Sequence, residues 1–280
     1  MPFAWTNKFS NTDPTNSDNK KGSSEHGLFY SQQGEDVYIY NNFINKNTSD
    51  GIFVELGGYD GITYSNSKFF EDTLGFKGVL IEPTQQYHTM CRNRPNCHNY
   101  NYAVHSSSEP VKFIGTGAVA GSVDTMSHSF RSEWYPNGDL EYQVRGKPMK
   151  DILKVSNLSY VDLLSIDVEG GELVVLETYD FSIPTYLIVI ELDGNNIVKD
   201  DKCRDILSRN GFILKKRISI NEFWENPFYP RKNRLFDSRN TRVYNKIEDV
   251  PNYNAIELHL RDEVLNALKY PNSCSRIQLL

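Results

Sequence analysis

Two near-continuous apolar runs, VDLLSI at 161–166 and YLIVIE at 186–191, are too short for buried helices and too unbroken for half-exposed strands. Runs of this kind belong in the centre of a sheet covered on both faces. Strand patterns also occur at Ile52–Leu56, Gly78–Ile81 and Tyr100–Val104, and another begins at Phe212–Ile220. Between them lie helical patterns at Tyr64–Leu74, Gln85–Arg92, Glu172–Thr178 and Val198–Arg209, preceded by one at Glu35–Phe43, with Asn210-Gly211 as a stop signal. Strands alternating with helices predict an α/β fold, Rossmann-like, with a central mostly parallel sheet and helices on both faces.

Two stretches break this rhythm. Residues 115–149 hold five glycines and two prolines with little periodicity, which predicts a long loop or small insertion over one sheet edge. Residues 215–253 read as a basic, aromatic elaboration: nine Lys/Arg against three acids between 215 and 246 give a local +6, leaving about −12 for the rest of a chain whose formal net charge is −6. The acidic balance argues against general nucleic-acid binding. Residues 1–30, rich in Asn, Ser, Thr, Asp and Lys, are expected to be a flexible segment, and 31–280 a single domain. Four cysteines without CxxC spacing favour a reducing compartment, and no apolar run approaches a membrane span, so a soluble, intracellular and cytoplasmic protein is expected.

Candidate chemistry concentrates where strands end. Ligands of open α/β sheets sit beyond the carboxyl ends of the strands, and here these ends are acidic: Glu55, Glu82, Asp167 with Glu169, and Glu191. One such carboxylate is more often a solvated strand end or a cap; four in register point to a site. The turn Val54-Glu55-Leu56-Gly57-Gly58-Tyr59-Asp60-Gly61 has glycines for close backbone approach, but Asp60 within it would repel a pyrophosphate. A cationic ligand suits it better, and S-adenosylmethionine carries a sulfonium and an ammonium. Glu82, 21 residues beyond Gly61, is placed to accept both ribose hydroxyls of an adenosine.

SQQGED at 31–36, FVELGGYDGITYSNSKFFE at 53–71, GVLIEP at 78–83 and LLSIDVEGGELVVL at 163–176 together resemble the FkbM family of S-adenosylmethionine-dependent methyltransferases, over roughly 31–215. The resemblance implies a class I methyltransferase fold with a reversed last hairpin, and O-methylation, often of sugars or natural products. Gly58 and Tyr59 depart from the more usual Ala-Asn of the turn. Carried over by position, Glu55, Gly57, Gly58 and Gly61 shape the methionine end of the cofactor pocket, Asp60 lies near the ammonium and Glu82 on the ribose. Ser65 and Asn66 add hydrogen bonds, with helix capping an equally good reading. Tyr59 is a candidate to shield the sulfonium, although an aromatic in a turn more often packs.

Asp167, Glu169 and Glu191 are the catalytic candidates, with Asp167 also beside the cofactor. Methyl transfer is an in-line displacement at carbon, so the acceptor oxygen must be aligned and its proton removed. A carboxylate does this directly if burial raises its pKa, or by holding a divalent cation such as Mg²⁺ or Mn²⁺, for which Asp167 and Glu191 are the candidate ligands. For Glu172 the plainer reading, a negative charge in the first helical turn, is the better one; for Glu169 the two are level. His105 and His128 are secondary bases. The glycine loop 115–121 lacks a following helix, and Asn226-Pro227-Phe228-Tyr229 falls outside the strand end where a methyltransferase of amino groups would carry it.

The expected acceptor is a hydroxyl of a sugar, glycan or small molecule. A nucleotide sugar or RNA is the alternative motivated by the basic aromatic stretch, and a non-catalytic Rossmann-like binding module is the third reading.

Overall fold

The computed structural model describes residues 29–44 and 47–232. The expectations for most of 1–30, for the basic stretch beyond 232 and for Cys274 lie outside the described residues.

A seven-stranded sheet carries the molecule. Its strands are β1 (Ile52–Leu56), β2 (Lys77–Ile81), β3 (His98–Tyr100), β8 (Val161–Ile166), β9 (Thr185–Glu191), β10 (Ile213–Ile218) and β11 (Asn221–Glu225). They stand in the order β10-β11-β9-β8-β1-β2-β3. Every pairing from β9 to β3 is parallel; β11 alone runs antiparallel to both of its neighbours. The chain thus steps out to the edge in β10 and turns back into the gap beside β9, which is the reversed hairpin implied by the sequence.

Side-chain alternation sorts the central strands between two cores. Phe53, Leu187 and Val189 face one side with Ile39 and Phe43 of α1 (Glu35–Asn42 and its cap) and Phe69 and Phe70 of α2 (Lys68–Leu74). Val54, Ile188 and Ile190 face the other, against Met149 of α5 (Met149–Ser156), Val175 of α6 (Glu172–Thr178) and Leu207 of α7 (Ile197–Arg209). Each such side chain, taken fully out of water, contributes about 1.5–3 kcal/mol. α3 (Tyr87–Asn93) adds Met90 to the first core, beneath the end of β1.

Three elements differ from expectation. The helix read from Tyr64 begins only at Lys68, because Ser65, Asn66 and Ser67 turn their polar groups inward onto Glu55 and Tyr64 takes a left-handed φ of 62°. The strand read as Tyr100–Val104 is broken: β3 ends at Tyr100, and β4 (Ala103–Val104) leaves the main sheet to pair with β7 (Glu141–Lys147). The stretch 115–149 is ordered. With β5 (Pro110–Ile114), β6 (Gly121–Ser122) and β7 it forms a four-stranded sheet in the order β4-β7-β5-β6, and it carries α4 (His128–Trp134). Its periodicity is weak because β7 is largely exposed, so its side chains alternate against solvent rather than against a core.

Candidate functional site

Parallel register brings the strand ends to one edge. Leu56 pairs with Ile81 on one side and Ile166 on the other, and Ile166 pairs with Ile190. Glu82, Asp167 and Glu191 therefore follow at neighbouring positions around the turn that leaves β1.

That turn is held by its surroundings at nearly every residue. The amides of Gly57 and Gly58 both donate to the Ile81 carbonyl, at 3.1 and 3.2 Å. Gly57 has φ 76°, and a Cβ there would overlap the carbonyl oxygen of Asp167, so only glycine lets the turn lie against the end of β8. Tyr59, at φ 44°, is a non-glycine residue held in a sparsely populated conformation. Its amide donates at 2.9 Å to Oε2 of Glu82, whose Oε1 accepts from Thr84 N at 2.8 Å. Burial raises the Glu82 pKa against the Thr84 and Tyr59 hydrogen bonds that lower it, and a carboxylate with about four lone-pair sites keeps capacity for a further donor such as a ribose hydroxyl.

Other expected cofactor residues are engaged within the protein. Glu55 accepts from Ser65 Oγ at 2.8 Å, Ser67 Oγ at 2.5 Å and Asn66 N at 2.7 Å. The Ser65 hydroxyl also accepts from Ser67 N and Lys68 N. Glu55 and Ser65 thus use these lone pairs and protons in folding the turn onto α2. Asn66 donates from Nδ2 to Ser165 Oγ at 3.0 Å and keeps Oδ1 buried with no partner among the described residues. Asp60 caps its own turn, accepting from Ile62 N, Thr63 N and Thr63 Oγ1.

Asp167 is different. Its carboxylate is half-buried, and no hydrogen-bond donor among the described residues reaches it. Burial first, then the negative charges of Glu172 and Glu55, push its pKa up to about 7. Glu169, at φ 51°, and Glu191 are raised further from the carboxylate range, by burial and then by Asp167 in both cases. Glu172 is committed to the fold instead. Its Oε1 accepts from Gly170 N at 2.9 Å and its Oε2 from the Lys199 ammonium, so it is locked into the turn between β8 and α6.

Beside Glu169 lies a small, shallow cleft that is open to solvent. The inserted sheet supplies Thr125, Ser127 and Phe130 to its wall, and the segment after β9 supplies Asp193 and Lys199. The insertion reaches this place because Gly170 has no side chain: a Cβ there would come within 2.9 Å of the Thr125 carbonyl. The sequence predicts an insertion over a sheet edge, but its Thr125 is not legible as part of this wall, because it is placed there by backbone packing against Gly170.

The expected divalent cation on Asp167 and Glu191 finds no support: among the described residues no group of three or more His, Cys, Asp or Glu side chains converges to hold an ion. Of the secondary bases, the His105 ring meets Ser107 and the exposed His128 ring, next to Ser127 of the cleft wall, meets Ser132. In the basic stretch, Lys215 and Lys232 both pair with Glu225, while Arg217 donates to the carbonyls of Ser219 and Leu192. No helix among the described residues is long and apolar enough to cross a membrane.

The strand order, the single reversed strand beside β9 and the acidic ends flanking the first turn define a class I methyltransferase. The family model described as the methyltransferase FkbM domain matches residues 55–214. More than half of the 280 residues are covered, and the chain belongs to the FkbM methyltransferase family. S-adenosylmethionine is accordingly its methyl donor. No curated protein sequence matches the chain. Similar solved structures include a precorrin-6y C5,15-methyltransferase from Geobacter metallireducens, 12% identical, with 64% of this chain and 76% of that chain covered at a TM-score of 0.32. A fibrillarin pre-rRNA processing protein from Methanococcus jannaschii is also 12% identical, with 74% and 84% covered at 0.38. TrmK from M. capricolum in complex with S-adenosylhomocysteine is 11% identical, with 83% and 87% covered at 0.35. Likeness at this level carries no information about an acceptor.

Proposed function

We propose that the chain transfers the methyl group of S-adenosylmethionine to a hydroxyl of a sugar, glycan or small molecule, with Asp167 as general base. One observation carries the reading. Asp167 has a carboxylate without hydrogen-bond donors, a pKa pushed up to about 7, and a position against the glycine turn. A base poised near neutral pH both exists in its ionised form and holds a proton strongly enough to take one from an attacking hydroxyl.

Bound S-adenosylmethionine supplies an activated methyl group. The chain's own residues do the rest in this reading: Glu82 accepts the ribose hydroxyls, the turn from Gly57 to Gly61 with Asn66 Oδ1 surrounds the methionine end, and Asp60 contributes negative charge near the ammonium. Burial with Glu172 and Glu55 holds the Asp167 pKa up, while Glu169 orients the acceptor from the side of the cleft and Glu191 stands at the neighbouring strand end. In this reading the acceptor's proton goes directly to Asp167.

The cleft also weighs against RNA or a nucleotide sugar, since phosphates would meet Asp193 beside an ammonium, Lys199, already neutralised by Glu172 and Asp200. The test is a radiolabelled methyl-transfer screen over free sugars, nucleotide sugars and capped RNA. Label fixed on an alkali-stable ether of an uncharged acceptor is expected; label on RNA or on an amine sinks the reading.

A further inference from the structure

Arg94 caps α3 and has no solvent-exposed surface, which is rare for a side chain that is always charged. Its guanidinium is spread across the underside of the cofactor turn. Nη1 donates to the Gly61 carbonyl at 2.9 Å and to Ser65 Oγ at 3.2 Å; Nη2 donates to Ser67 Oγ at 3.0 Å; Nε donates to Glu71. Glu55 lies 3.8 Å from Nη1, and the cation stands 5.2 Å from the centroid of the Phe53 ring. One side chain thus joins the last strand residues of β1, the end of the glycine turn and the start of α2.

Its helix neighbours act in the same direction. Asn93 Nδ2 donates to the Asp60 carbonyl at 2.8 Å, and Met90 packs beneath Gly58 and Gly61. Residues 90, 93 and 94 share one face of α3. The carbonyls of Asp60 and Gly61 are therefore both turned toward α3, which fixes the peptide planes of the turn and the direction in which its other face looks.

We propose that Arg94 is the positioning residue of the cofactor site: it touches no ligand, and it sets the affinity for S-adenosylmethionine by fixing the turn from Gly57 to Gly61. A planar fork with five donors serves four acceptors at fixed angles here, and a lysine ammonium, a point donor on a flexible stem, cannot reproduce the set. A turn free to rotate its peptide planes must be ordered when the ligand binds, and that cost appears directly as lost affinity. The inference rests on the proposed placement of the methionine end on this turn.

The experiment compares the dissociation constant for S-adenosylmethionine, by calorimetry, with the Tm of the ligand-free protein. Arg94→Lys is expected to raise the dissociation constant by at least about tenfold. Leu207→Ala, in the opposite core, serves as the control for general destabilisation; it is expected to lower Tm and leave the constant within about twofold. Should Arg94→Lys fail to fold, Ser67→Ala removes one acceptor of the fork and is expected to weaken binding by about threefold. An unchanged constant in the Arg94 or Ser67 variant overturns the proposal, as does a loss in Leu207→Ala matching that in Arg94→Lys at equal Tm. Gly61→Ala separates the two readings: if it alone loses affinity, the turn holds the cofactor without Arg94, and if neither does, the placement on the turn fails as well.

Discussion

Replacing Asp167 by asparagine is expected to stop turnover and to stabilise the fold, with a gain that grows between about pH 4 and pH 7 and is constant above it. The side chain keeps its shape and loses a charge that burial, Glu172 and Glu55 all oppose, which is why its pKa stands at about 7 against an ordinary 3.8. Between those two values the folded chain holds a proton that the unfolded chain has released, so stability falls as pH rises through the window. A gap of about three units at about 1.36 kcal/mol each sets an upper bound near 4 kcal/mol. Partial exposure and the shared titration with Glu169 and Glu191 reduce it, and about 2 kcal/mol is expected at pH 8. For a domain of this size that is a Tm higher by about 4–8 °C. Below pH 5 the difference closes, since both chains are then increasingly protonated or neutral at this position. Thermal unfolding of the ligand-free wild type and variant at pH 5, 6, 7 and 8 reads the effect. A variant less stable than wild type at pH 8, or a gain independent of pH, refutes the account of the buried charge. Turnover retained within tenfold of wild type refutes the assignment of Asp167 as base.

Glu82→Ala is expected to abolish the rise in Tm that S-adenosylmethionine gives the wild type, because two oxygens that meet the ribose are lost; NAD is expected to give no rise in either protein, and thermal-shift measurements check both. Dialysis against EDTA is expected to leave methyl transfer unchanged, and a loss of activity restored by Mg²⁺ or Mn²⁺ would return Asp167 and Glu191 to the role of metal ligands.

The part of the fold that carries the site was readable because strand ends are local. Ile52–Leu56, Val161–Ile166 and Glu172–Thr178 agree between pattern and structure, and the carboxylates follow them in sequence, so a strand assignment is also an assignment of the sheet edge. What the pattern cannot carry is the destination of a side chain. Glu55 reads as a site residue by position, but its partners Ser67 and Arg94 lie 12 and 39 residues further on, and only packing brings them to it. Arg94 has no local signature at all: Asn-Arg-Pro reads as a polar helix stop, and the full burial of its cation follows from acceptors gathered from β1, the turn and α2. The cleft wall was hidden for a related reason. Thr125 and Ser127 sit in a stretch whose strands are short and exposed, so neither period 2 nor period 3.6 survives long enough to place them.

The acidity of the site bears on the order of its proton and methyl movements. Asp167 lies against the turn proposed to hold the methyl donor, so a sulfonium beside it favours the ionised carboxylate and lowers its pKa from about 7 on binding. Once the methyl group has left, that positive charge is gone and the pKa rises again, just when the acceptor's proton needs a destination. The carboxylate is thus kept ionised before transfer and made basic by the transfer itself. Linkage converts this into a binding measurement. Between pH 6 and pH 8 a group of pKa about 7 goes from about one-tenth to about nine-tenths ionised, so affinity for S-adenosylmethionine is expected to rise about tenfold. S-adenosylhomocysteine shares the ammonium and lacks the sulfonium charge, so its affinity should change little, and the ratio of the two dissociation constants isolates the effect. Calorimetry of both ligands at pH 6, 7 and 8 measures that ratio. A ratio independent of pH in the wild type, or one that still varies in Asp167→Asn, means that the carboxylate at the end of β8 does not face the reacting sulfur.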